Sequence, residues 1–463
     1  MASRCVSRGL EELGITSLWS SPVDVKLLCC QRFVRLVAYG GSTLILVSRL
    51  RELGISEERV GLFMTLTLLG DLAISAVLTL CADALGRKCV LAAGALLMSA
   101  AGAMFALCDN YWILLLAAIV GVISPSGNEI GPFRAIEESI IAHLTPVANR
   151  GDVYAWYSLI AATGTALGLM TTGWVLTYMV EDLKWEATQA YRAVFSVYAV
   201  LGLLKLLLTL ALSRAVELEE KVAPDEEVET SPLIRDGAED QEQKKRNWLL
   251  SKLSTISPES RTIVCQLCIL FMLDSFSSGL APLSWVTYFF HQKFNMKEGV
   301  LGALFFTTAI VAAVSMLLAS SIAKRIGNIQ TMVFTHLPSA IFLALIPIPS
   351  SLPIAMLFLI LRSCTQSMDV APRTAFLAAV VLPHERTAAM GLINVAKTLG
   401  QSFGPLVTGL LAGKGLFWVA FVTAGSLKAM YDLGMLAVFS GHETRDDRAE
   451  EERLSESEAP DQG

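Results

Sequence analysis

Four polar residues recur along one apolar run in the last third of the chain. Arg362, Gln366, Asp369 and Arg373 stand at i, i+4, i+7 and i+11 within the stretch from Leu361 to Arg373. At about 100° per residue, a helix gathers all four into a stripe roughly 60° wide. The other faces carry Leu, Ile, Phe, Ala and Met. Charges on such a helix do not face lipid, so the stripe must face protein or a water-filled cavity. A ligand or ion path is the chemistry it offers. The alternative is a buried network that holds helices in register. Asp369 and Arg373, one turn apart, are placed to pair with each other.

Other polar groups stand where a bilayer is dry. Asp274 is followed by Ser275, Ser277, Ser278 and Gly279 and has no basic neighbour in its own apolar run, which makes it the leading proton-site candidate. Asp71, after Gly70, is a second proton-site candidate, with a helix–helix hydrogen bond as its alternative. Arg32, Arg35 and Tyr39 share one face, with snorkelling of the arginines to the interface as the alternative reading. Ser124, Asn128 and Glu129 share a run with Pro125 and Pro132, prolines able to free backbone carbonyls. Lys397 shares a face with Asn394 and Gln401.

These residues need long apolar helices to hold them. The chain has 463 residues, 54% of them hydrophobic, too apolar for one soluble domain. Twelve spans are expected: 30–49, 60–81, 89–108, 112–132, 153–175 and 193–213, then 262–289, 299–321, 330–347, 354–378, 388–411 and 416–439. The fold class expected is an all-α membrane protein with twelve transmembrane helices in two six-helix pseudo-symmetric halves. The domains are a cytosolic tail (1–29), a first bundle (30–213), a disordered cytosolic linker (214–261), a second bundle (262–440) and an acidic cytosolic tail (441–463). Cations in the short loops nearly balance. Arg32, Arg214, Lys244, Lys245, Arg246 and Arg261 tip the termini and linker toward the cytosol. The net charge of −6 gives no nucleic-acid signal. Cys265 and Cys268 form a CxxC with no second pair, which reads as packing rather than metal.

The halves repeat. Gly61 and Gly86 recur as Gly302 and Gly327, Glu129 to Pro132 as Asp369 to Pro372, and Gly164, Gly168 and Gly173 as Gly400, Gly404 and Gly409. Six spans return the chain to its starting side, so the repeats are parallel, as in one large transporter class. The loop Asp83-Ala-Leu-Gly86-Arg87-Lys88 resembles the signature loop of the major facilitator superfamily, D-R-x-G-R-R/K, with Ala84 and Thr79 as departures. Lys324-Arg325-Ile-Gly327 is its degenerate echo. Ser126 to Glu129 and Gln366 to Asp369 resemble a bacterial and fungal general-transporter branch of that family.

That resemblance implies that the first, fourth, seventh and tenth spans line a central cavity. It makes Arg35, Tyr39, Asn128, Glu129, Asp274, Arg362, Gln366, Asp369 and Arg373 the candidate substrate or ion site. It also makes Asp83, Gly86, Arg87 and Lys88 a latch between halves. Asp83 is expected near the start of the eleventh span, around Thr387 to Met390. The function expected is secondary active transport of small organic molecules by alternating access, coupled to protons. The alternative is a transporter-like receptor or sensor. No Walker loop, HExxH or Ser/His/Asp set marks an enzyme, and no cofactor or metal is expected. The partners expected are a small-molecule substrate, protons and the lipid bilayer, with the protein a monomer. In the linker, Glu229, Leu233 and Ile234 resemble an acidic dileucine sorting signal. They point to a vacuolar or endosomal membrane, with the plasma membrane as the alternative.

Overall fold

The computed structural model describes residues 15–121, 123–126, 132–217, 257–381 and 385–439. The sorting motif at Glu229, Leu233 and Ile234 lies outside them, as do Asn128, Glu129 and the C-terminal tail. Within the described residues all regular structure is helical. A short helix α1 (Ile15–Ser20) precedes α2 (Val23–Glu52), α3 (Glu57–Leu85), α4 (Arg87–Leu107), α5 (Tyr111–Val120), α6 (Pro132–Leu144), α7 (Arg150–Thr177) and α8 (Ala187–Leu210). The second half comprises α9 (Pro258–Leu280), α10 (Leu283–Phe294), α11 (Glu298–Ile326), α12 (Asn328–Leu345), α13 (Leu352–Thr365), α14 (Val370–Val380), α15 (Arg386–Gly413) and α16 (Phe417–Phe439). Among the described residues, seven helical stretches are long and apolar enough by themselves to cross a membrane.

Three expected spans are broken in two. The fourth becomes α5 and α6, the seventh α9 and α10, and the tenth α13 and α14. The fourth therefore runs on to Leu144, beyond its expected end at 132. In the seventh, Ala281-Pro282 interrupts the backbone ladder, because proline brings no N–H. In the tenth, Gln366 to Asp369 form a tightened turn. The stripe of Arg362, Gln366, Asp369 and Arg373 thus runs over two helical pieces instead of one helix. The first long helix also starts at Val23, inside the expected tail of 1–29.

Local chemistry sets the ends. The Asn110 side chain accepts from the N–H groups of Trp112 and Ile113, capping α5. Ser257 does the same for α9 through the N–H of Ser260. The turns after the second and eighth spans both use glycine at φ 86° (Gly86 and Gly327), a left-handed conformation that a side chain disfavours.

The halves repeat in three dimensions as in sequence. Gly202 on α8 packs on Ser99 of α4, and Gly425 on α16 packs on Ala340 of α12. Between the halves, α3 packs on α15 and α11 on α7. Gly61 abuts the Pro405 carbonyl and Gly409, while its counterpart Gly302 abuts the Leu169 carbonyl. Among the described residues, the hydrogen bonds that cross between the halves gather at the bundle centre and at the end remote from Gly86 and Gly327. The Tyr288 hydroxyl donates to Glu57 and accepts from Arg51 at 3.2 and 3.3 Å, and Lys297 pairs with Glu181 at 2.6 Å. Behind them an aromatic plug of Trp285, Tyr288, Phe289, Phe417 and Phe421 fills this end.

Candidate functional site

The breaks in the fourth and seventh spans meet at the centre. The Pro125 carbonyl accepts from the Ser284 hydroxyl at 2.6 Å, and the Ser124 carbonyl accepts from Thr43 at 3.0 Å. Carbonyls left over where a helix stops need partners in a dry interior, and α2 and α10 supply them. Irregular backbone at this depth is tolerated only inside protein or along a water-filled cavity.

Each half then holds a buried ion pair between its first and fourth spans. In half one, Arg35 on α2 makes two bonds of 2.7 Å to Glu137 on α6, and Tyr157 on α7 donates to the same carboxylate. Arg35 and Glu137 are buried to 1% and 0% exposure. Lys205 on α8 is within electrostatic reach of Glu137, with its ammonium 4.9 Å from the Phe133 ring. Arg32 lies 3.7 Å over the Tyr157 ring, so it packs inside the bundle and does not snorkel. Arg35 is thus held by Glu137, and Tyr39 is stacked on Tyr198 in the apolar core.

In half two the signs are reversed. Arg35 and Asp274 each stand five residues before a glycine, Gly40 and Gly279, that packs on the fifth or eleventh span. Asp274 therefore takes the place of Arg35. Its Oδ1 accepts from Lys428 on α16 at 2.6 Å, and its Oδ2 is 3.6 Å from Arg373 on α14. Arg373 also pairs with Asp369 at 3.1 Å, the i+4 partnership expected from their spacing. Lys428 donates further to Ser278 at 2.8 Å. Beside this cluster, His336 on α12 and Asp432 on α16 lie 2.9 Å apart.

This corrects the reasoning for Asp274. Its own span holds no base, but the fold brings Lys428 and Arg373 against it. The isolated carboxylate is Asp71 on α3. It is 4% exposed, its Oδ1 has no hydrogen-bond partner, and it makes no ion pair among the described residues. Ser75, one turn on, is the polar group beside it.

The remaining candidates divide. Arg362 and Gln366 are partly buried; Arg362 makes no ion pair among the described residues and its Nε is enclosed without a partner. At the signature loop the N–H groups of Arg87 and Lys88 donate to Glu217 at 2.7 and 3.0 Å, and the Lys88 ammonium donates to the Leu210 and Leu212 carbonyls. The Asp83 side chain lies outside the described residues, so its expected meeting with the Thr387 to Met390 region does too.

Glu137, Tyr157, Lys205, His336, Lys428 and Asp432 were not anticipated as site residues. The usable signal was a charge inside an apolar run: Lys205 and Lys428 sit three residues after the matching glycines Gly202 and Gly425.

Comparison with known proteins agrees with this architecture. A family model described as Major Facilitator Superfamily matches residues 28–257 and 267–460. An uncharacterized membrane protein of Saccharomyces cerevisiae is 37% identical over 432 residues, covering 90% of this chain and 94% of the relative. The solved structure of nucleoside transporter NupG covers 90% of this chain and 99% of its own at 15% identity, with a TM-score of 0.65. That of a D-xylose-proton symporter covers 89% and 96% at 15% identity, with a TM-score of 0.64. At those identities the structures speak to the fold.

Proposed function

The chain belongs to the major facilitator superfamily, a family of secondary transporters, and we propose that it couples movement of a small organic solute to protons bound at Asp71. The carrying observation is that carboxylate: buried on α3, without a counter-charge among the described residues. An ionised carboxylate in a dry interior costs several kcal/mol, whereas a neutral acid does not. Alternating access that dries or wets Asp71 is thereby tied to gain or loss of a proton. Its place suits this. Thr65, less than two turns earlier on α3, accepts from the Leu406 N–H of the other half, so Asp71 lies just beyond the seam that must open.

Half one's Arg35–Glu137 and half two's Asp274–Lys428 pairs then act as fixed struts, while Arg362, Gln366, Asp369 and Arg373 face the solute. With the termini and signature loop cytosolic, the contacts at the remote end support an inward-open form. The protein acts as a monomer in a vacuolar or endosomal membrane, a placement supported by the linker motif at Glu229, Leu233 and Ile234. The test begins with unbiased metabolite comparison between cells with and without the protein. The solute found is then offered to proteoliposomes under an imposed pH gradient. Accumulation that collapses with a protonophore supports the reading. Flux that ignores the gradient contradicts it, and ligand binding without flux favours a sensor.

A further inference from the structure

The half-two cluster holds one cation, Lys397, that no carboxylate engages directly among the described residues. Asp274 is engaged by Lys428 on one oxygen and by Arg373 on the other, and Asp369 is engaged by Arg373. Lys397 on α15 stands in the same electrostatic neighbourhood as Asp274, Asp369 and Arg373, yet it makes no ion pair or hydrogen bond among the described residues. Its ammonium is 5.6 Å from the centre of the Phe271 ring, and the Arg373 guanidinium is 5.8 Å from the same ring. Two cations therefore lie beside one buried aromatic ring, and only one of them has carboxylate partners among the described residues.

The repeat shows that Lys397 is not part of the framework. Lys205 and Lys428 recur in both halves and serve buried carboxylates. Lys397 stands three residues before Gly400, and the matching place before Gly164 is Ala161. The lysine belongs to one half alone. It also lies on a polar face that leads inward from the signature-loop end of α15. Asn394 is exposed, Lys397 partly buried, and Gln401 partly buried one turn deeper. Exposed asparagine on a membrane helix is consistent with a wetted path.

We infer that this face is the binding subsite for the charged group of a small organic anion, with the Lys397 ammonium as its counter-ion. The inference rests on the transporter reading and names its substrate class. The anion's oxygens supply the acceptors that Lys397 lacks among the described residues, and Arg373, held by Asp369 and Asp274, lies beside the same Phe271 ring. Carboxylate and phosphate share this chemistry.

The test uses the purified full-length protein in lipid nanodiscs, read by intrinsic tryptophan fluorescence and thermal unfolding. The probes are benzoate, phenyl phosphate, benzamide and benzylamine, the first two anionic. Saturable binding of benzoate, phenyl phosphate or both, with neither benzamide nor benzylamine binding, is expected. Which anion binds more tightly identifies the group. Lys397→Gln should weaken anion binding at least about tenfold while Lys397→Arg restores it. Equal binding of benzamide, no anion binding, or unchanged affinity in Lys397→Gln overturns the inference. A solute from the metabolite comparison that is cationic or neutral also overturns it and leaves the transporter reading standing. Anion binding without any solute flux removes the transporter reading instead.

Discussion

Lys205 and Lys428 occupy the same place in their two halves. Each lies three residues beyond a glycine packed on the neighbouring helix, and each reaches inward to the buried carboxylate of its half, Glu137 or Asp274. The sign of the first-span residue flips between halves, from Arg35 to Asp274, while the sixth-span lysine is kept. The repeat therefore preserves a scaffold position and varies what it supports.

Removing that support is costly. Lys428→Met leaves Asp274 with Arg373 at 3.6 Å as its remaining ion-pair partner among the described residues. Breaking a buried pair from one side costs about 3–5 kcal/mol. Lys428→Met should thus lower the unfolding temperature in detergent markedly, and Lys428→Met combined with Asp274→Leu should recover part of the loss. If the double variant is as unstable as the sum of the singles, the pair is not coupled.

The matching pair in half one gives an independent check. Glu137→Leu removes the carboxylate that Arg35 pairs with and that Tyr157 donates to. A loss of about 3–5 kcal/mol is expected, with Arg35→Leu plus Glu137→Leu closer to wild type. Chemical unfolding followed by fluorescence reads this, and a near-neutral Glu137→Leu would remove the strut role.

Much of this plan is legible in sequence because apolar run length and glycine landmarks repeat. The second and third spans and the eleventh and twelfth fall close to where hydropathy puts them. The fourth does not, since Arg134, Glu137, Glu138 and His143 make α6 look like a loop, although Phe133, Ile136, Ile140 and Ile141 form its buried face. The Asp369–Arg373 pair was readable because both partners share one helix period. The Asp274–Lys428 pair was not, because its partners are 154 residues apart and only the packing of α9 on α16 joins them.

The seam between the halves is built on absent side chains. A Cβ at Gly61 would strike the Pro405 carbonyl and Gly409, and one at Gly302 would strike the Leu169 carbonyl. Gly61→Val and Gly302→Val should each prise this end apart. Spin labels across it should report a longer mean distance and a greater open population than in wild type. Unchanged distance distributions would show that the seam tolerates the bulk and does not set the conformation.

Asp71 decides the central claim. Asp71→Asn keeps the volume and removes the exchangeable proton. In proteoliposomes carrying the solute identified by metabolite comparison, the variant should lose uphill uptake driven by a pH gradient while retaining solute-for-solute exchange near the wild-type rate. Proton-driven accumulation that survives Asp71→Asn unchanged would contradict the account.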